Sequence, residues 1–119
     1  MENLTLPRNR AVLDIEVVQG DDQEITLAFN DDSGEPLDLS GYTIKMQMKA
    51  YDHVNAQVYF EKSIGSGITV DDNLVTISFG DELLTANLNQ YYYDILFVKD
   101  SKKSRLVGGK VFILNSVTV

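Results

Sequence analysis

Gln90-Tyr91-Tyr92-Tyr93-Asp94-Ile95-Leu96-Phe97-Val98 is the most apolar and most aromatic run of the chain and carries three of its six tyrosines. Side chains alternate across a strand. Tyr91, Tyr93, Ile95 and Phe97 therefore share one face, and Tyr92, Asp94, Leu96 and Val98 share the other. Apolar groups on both faces place such a strand in the middle of a sheet, covered on one side and partly shielded on the other. The run reads as the central strand of a β-sandwich.

The neighbouring segments support that reading. After a loop at Asp100–Ser104, Leu106 to Leu114 returns as a long strand, with Gly108-Gly109 marking a bulge or a close approach of another chain segment. Upstream, Asp81-Glu82-Leu83-Leu84 predicts a single helical turn with Leu84 and Leu88 one turn apart, too short for a stable helix. Ile68–Val70 and Leu74–Phe79 flank Asp71-Asp72-Asn73 as a hairpin with a three-residue turn. Val58 to Lys62 forms a short strand with Val58 and Phe60 inward, and residues 50–57 show no period. The clearest period of two is Tyr42, Ile44, Met46 and Met48 against Thr43, Lys45, Gln47 and Lys49. Earlier strands centre on Leu13, Ile15 and Val17 and on Ile25, Leu27 and Phe29; Val117 and Val119 add a final short piece. Turn signals at Gln19–Asp22, Asn30–Gly34 and Leu37–Gly41 separate them. Residues 1–10, with Pro7 and no period, read as an N-terminal arm, and residues 11–119 as a single β-sandwich domain. Seven to eight strands at this spacing make the chain all-β.

A chain of 119 residues with 44% hydrophobic and 24% charged residues suits one domain with one core. The absence of cysteine excludes disulfides, thiolate metal sites and a thiol nucleophile. No apolar run approaches the roughly 20 residues of a membrane helix, and the N-terminus lacks the pattern of a secretory signal. The expectation is no membrane partner. Net charge is −8. Residues 1–38 hold ten of the eighteen acids against Arg8 and Arg10, whereas five of the ten bases fall between Lys99 and Lys110. An acidic chain repels a phosphate backbone, which argues against nucleic acid as a partner. The lopsided charge serves solubility and is also compatible with head-to-tail contact in a homo-oligomer.

Few residues offer catalytic chemistry. His53 is the only histidine and sits in a polar loop, so no nucleophile–base pair is evident. Acids fall mainly at turns, where Asp serves backbone geometry. The pairs Asp21-Asp22, Asp31-Asp32 and Asp71-Asp72 raise calcium, yet the alternating acids and closing Glu of a calcium loop are absent. The expectation is no catalytic residue, no cofactor and no metal site. Exposed tyrosines on a sandwich can stack on sugars, and Tyr51, Tyr59 and Tyr92 are the candidates. Against this, a tyrosine near the start of a penultimate strand commonly locks a sandwich corner through its hydroxyl. Tyr91 or Tyr93 fits that role.

Several motifs then line up in order. Gly34-x-Pro36-Leu37-Asp38-Leu39-Ser40-Gly41-Tyr42 enters a strand, followed by Gly67-Ile68, the Asp71-Asp72-Asn73 hairpin, Tyr91-Tyr92-Tyr93-Asp94-Ile95, and Gly109-Lys110-Val111. Over residues 12–118 this set resembles the N-terminal domain of the phage baseplate upper protein and related immunoglobulin-like virion proteins of tailed bacteriophages. The resemblance implies an immunoglobulin-like antiparallel β-sandwich and a non-enzymatic virion protein, made in the bacterial host cytoplasm and docked to other phage virion proteins, often in several copies. Tail, baseplate and head surface all remain open. Ending at residue 119, without a receptor-facing C-terminal region, points to a connector, adaptor or decoration role. The alternative is a carbohydrate- or ligand-binding β-sandwich module using Tyr51, Tyr59 and Tyr92.

Overall fold

Gln90–Lys99 is a ten-residue strand hydrogen-bonded on both sides, as its two-faced hydropathy predicts. In the computed structural model, residues 2–5, 11–31 and 33–118 are described. In chain order the strands are β1 (Glu2–Thr5), β2 (Ala11–Val12), β3 (Ile15–Val18), β4 (Gln23–Asn30), β5 (Thr43–Lys49), β6 (Val58–Ile64), β7 (Gly67–Asp71), β8 (Leu74–Phe79), β9 (Gln90–Lys99) and β10 (Lys102–Leu114). The one helical segment among the described residues is a 3₁₀ turn, Asp81–Thr85. The chain is all-β.

The strands form one continuous sheet in the order β1-β4-β8-β7-β6-β5-β9-β10-β2, with β3 also paired to β10. This corrects two parts of the expectation, the purely antiparallel pairing and the count of seven to eight strands. Among the described residues there are ten strands, and four pairings are parallel: β1 with β4, β2 and β3 with β10, and β6 with β7. The sheet curls into a half-barrel. Phe29 of β4 and Phe97 of β9, far apart in strand order, meet with ring centroids 5.0 Å apart. β6 and β7, joined by the short turn between Ile64 and Gly67, share only two paired positions. Inside the half-barrel lie Leu27, Phe29, Ile44, Met46, Met48, Ile68, Val75, Ile77, Ile95, Phe97, Val111 and Ile113. Each large side chain buried there contributes about 1.5–3 kcal/mol.

Local departures from the sequence reading have physical causes. Residues 2–5 of the expected arm form β1, parallel to β4 in register Glu2 with Leu27; residues 6–10 lie outside the described residues. Val58 is exposed, not inward, because a bulge shifts the β5–β6 register between Met48 and Lys49 and pairs Val58 with outward-facing Lys49. Phe60 points inward as expected, and Lys62 joins it on that face. Lys62, 7% exposed, is the one buried charged residue among those described; its Nζ lies 3.4 Å from Glu82 Oε2 and 5.0 Å from the Phe79 ring centroid.

Asp100 and Ser101, both at positive φ, make the β9–β10 turn two residues long, the left-handed pair that matches strand twist. The expected loop at 100–104 is mostly strand. Only Asp72 and Asn73 separate β7 from β8. Leu83, not Leu84 or Leu88, is the buried leucine of the 3₁₀ turn, and Gln19 Nε2 donates to its carbonyl at 3.1 Å. Val117 is 96% exposed outside any strand, and Val119 lies outside the described residues.

Candidate functional site

The motifs singled out in the sequence prove to be pieces of architecture. Asp38 Oδ1 accepts the Ser40 N–H at 3.0 Å, and the Tyr42 N–H bonds the Leu39 carbonyl at 3.2 Å. Leu39 is buried, and Gly41 stands at φ +81, a left-handed conformation that glycine adopts without cost. Asp-Leu-Ser-Gly thus builds a tight corner feeding β5. The hydrogen bonds from Ser40, its backbone first, hold the Asp38 carboxyl below the usual carboxylate range, with Lys99 adding a smaller pull in the same direction.

A second lock joins the chain's two ends. The Tyr93 hydroxyl donates to the Leu13 carbonyl at 2.6 Å. That carbonyl lies directly over Gly109, where an added Cβ would sit 2.4 Å from it. Gly109 pairs with Tyr93 across the β9–β10 ladder, and the Lys110 N–H donates to Asp14 Oδ1 at 3.0 Å. The jog at Leu13-Asp14 between β2 and β3 is therefore clamped onto β10 from both sides. The tyrosine reaches a carbonyl 80 positions away in sequence, not one a few residues upstream. Tyr91 plays no such part: it is fully buried against Phe60 and Tyr59, and its hydroxyl has no hydrogen-bond partner among the described residues.

The outward face of β5, β9 and β10 holds a concavity of about 530 Å³. Lys45, Gln47 and Lys49 of β5, Tyr92, Asp94 and Leu96 of β9, and Arg105 of β10 line it, with Tyr51, Asp52, His53 and Val54 as a rim. The rim is held in place by Lys49 Nζ, which donates to the Val54 carbonyl at 2.8 Å, and by His53 Nδ1, which accepts the Asn55 N–H at 3.1 Å. Arg105 pairs with Asp94 at 3.7 Å and Lys45 with Glu61 at 3.7 Å. Lys110 Nζ lies 6.0 Å from the Tyr92 ring centroid. A bulge between Arg105 and Val107 lets Arg105 face outward and Val107 inward.

Of the three tyrosines expected to contact a ligand, Tyr51 and Tyr92 converge on this groove and Tyr59 does not; its ring leans on Tyr91, 5.6 Å between centroids. The basic lining was not foreseen as a site. Its signal was the polar side of the β5 alternation, Lys45-x-Gln47-x-Lys49. Asp31 serves its turn, accepting the Ser33 and Glu35 N–H groups at 2.9 Å each, and Asp32 lies outside the described residues. Among the described residues no three His, Asp or Glu side chains cluster so as to hold a metal ion.

No protein-family model and no curated protein matches this sequence. Solved structures do match. The N-terminal domain of phage TP901-1 ORF48 superposes with a TM-score of 0.57 at 12% identity, over 94% of this chain and 94% of that one. The fold is similar to that of a phage protein domain. The likeness covers nearly the whole of both chains.

Proposed function

We propose that this chain is a non-enzymatic structural protein of a phage virion, a tail, baseplate or head-surface component that acts by protein–protein contact. The observation that carries the reading is the end-to-end fold likeness to a phage domain. The ordered motif set supports it independently, because the residues resembling the baseplate upper protein family are those that build the Asp38 corner and the Tyr93–Leu13–Gly109 clamp. The facing of β4 against β9 also suits the immunoglobulin-like layering that the resemblance implies. Its partners are other virion proteins, and its location is the virion, after synthesis in the bacterial host cytoplasm. Mass spectrometry of purified particles of the source phage tests this. The protein should appear at a fixed copy number, and a protein made during infection but absent from particles would sink the reading.

The groove keeps a second reading in play, a carbohydrate- or ligand-binding module, because it joins Tyr51 and Tyr92 beside Lys45 and Arg105. A glycan array with the wild type and with Tyr51→Ala and Tyr92→Ala decides it. Specific binding lost in both variants supports the module; no binding removes it.

A further inference from the structure

The chain carries net charge −8, yet its ten bases are not spread evenly. Lys45, Lys49, Lys103, Arg105 and Lys110 all belong to the outward face of β5, β9 and β10: Lys103 pairs with Val98, Arg105 with Leu96 and Lys110 with Tyr92, all outward positions of β9. Against these five stand Asp94, Glu61 and, on the groove's rim, Asp52. The face is basic and contains the 530 Å³ groove.

The opposite character occurs where the two ends of the curled sheet approach each other. Between the β2–β3 segment and β4 runs a cleft of about 310 Å³ lined by Leu13, Asp14, Ile15, Glu16, Glu24, Ile25 and Thr26. Asp14, Glu16 and Glu24 are exposed, the adjoining turn adds exposed Asp21 and Asp22, and among the described residues no base lines the cleft. Half-buried Leu13 and Ile25 give it an apolar floor.

From these two surfaces we infer that a second copy of this chain docks its acidic β3–β4 seam onto the basic outer face of β5, β9 and β10. Opposite charge on two different patches of one molecule favours a head-to-tail contact, which closes into a ring or continues as a filament. It also disfavours face-to-face pairing of like patches. A phosphate polymer is the poorer occupant, because the remainder of the chain would repel it. The inference is separable from the virion assignment: a packaged protein that does not self-associate would refute the contact and leave the assignment standing.

Light scattering coupled to size exclusion tests it on the full chain. At about 0.01 M salt, where charges act over about 30 Å, the wild type should run as an oligomer; at about 1 M, where the range is about 3 Å, it should run as a monomer. Lys45→Glu/Lys103→Glu/Arg105→Glu and, separately, Glu16→Lys/Glu24→Lys should each be monomeric at low salt. Mixed in equal amounts they should form a one-to-one complex, since each keeps the half of the contact that the other has lost. The substituted side chains are exposed, and milder Lys103→Gln/Arg105→Gln should weaken association in the same direction if a reversal variant does not fold. A wild type that stays monomeric at low salt overturns the inference. So does association that survives either reversal, or a mixture that gives no complex.

Discussion

Tyr91 and Tyr93 occupy the same strand, point to the same face and are both buried, yet deleting their hydroxyls should change stability in opposite directions. Tyr93→Phe removes the 2.6 Å bond to the Leu13 carbonyl. A neutral hydrogen bond contributes about 0.5–1.5 kcal/mol net, and an acceptor left unsatisfied raises the loss towards about 1–3. Leu13 is only half-buried, so water can reach part of the site, and about 1–2 kcal/mol of destabilisation is expected. Tyr91→Phe instead removes a hydroxyl that is desolvated without a partner, and should stabilise by about 1 kcal/mol. At about 4 °C per kcal/mol for a domain of this size, the two variants should melt about 8–12 °C apart, on either side of wild type. Urea titration supplies the free energies, and an unchanged m-value would show that the unfolded reference is common to all three. Changes of the same sign, or Tyr93→Phe as stable as wild type, would refute the clamp. For scale, Tyr93→Ala, which also empties ring volume, should cost about 3–5 kcal/mol.

Gly109→Ala should destabilise by at least about 1–3 kcal/mol, because its Cβ would meet the Leu13 backbone carbonyl at 2.4 Å; chemical denaturation measures this, and a neutral result would mean that the Leu13-Asp14 jog does not lie on β10. Lys62→Met exchanges an inward charge for an apolar chain of similar length, and with Glu82 partly exposed the cost should stay within about 1 kcal/mol. Because Lys62 lies in a stretch of β6 whose outer edge is unpaired among the described residues, the same variant should aggregate more readily, an inward charge being one guard against edge-to-edge pairing; equal light scattering on heating would refute that role. The depressed carboxyl of Asp38 makes the corner acid-sensitive: its contribution is present above the unfolded value of about 3.9 and is lost as pH falls through the lower folded value. Asp38→Asn can still accept the Ser40 N–H but cannot titrate, so the advantage of wild type over this variant should shrink as pH falls below about 4; a constant difference in melting temperature down to about pH 2 would argue against the assigned cause.

Two of the motifs that carried the family resemblance are places where backbone geometry restricts the residue type. Gly41 must enter a left-handed conformation and Gly109 must admit a carbonyl, so such positions are legible in a sequence even when their long-range partners are not. The basic face was half legible. Lys45 and Lys49 declare themselves by alternation, but Arg105 joins them only because a bulge reverses the facing of β10 after Arg105. The acidic seam was visible as a charge count and not as a place, since Glu16 and Glu24 approach only when the sheet curls.

By itself the sequence determined most of the strands and the inner faces of β5, β8 and β9. The period of two in β5, β8 and β9 is a local property, and burying one face while wetting the other allows a single register. The apolar groups on both faces of Tyr91 to Val98 likewise marked an interior strand, and it is paired on both sides, though third from one edge of the sheet. Tertiary structure decided what local pattern does not encode: parallel pairing of β3 with β10 and of β1 with β4, the curl that brings Phe29 to Phe97, and the different fates of two like-facing tyrosines. Those outcomes depend on contacts between distant parts of the chain. Tyr93 has a carbonyl within reach of its hydroxyl and Tyr91 has none, although the strand treats the two residues alike.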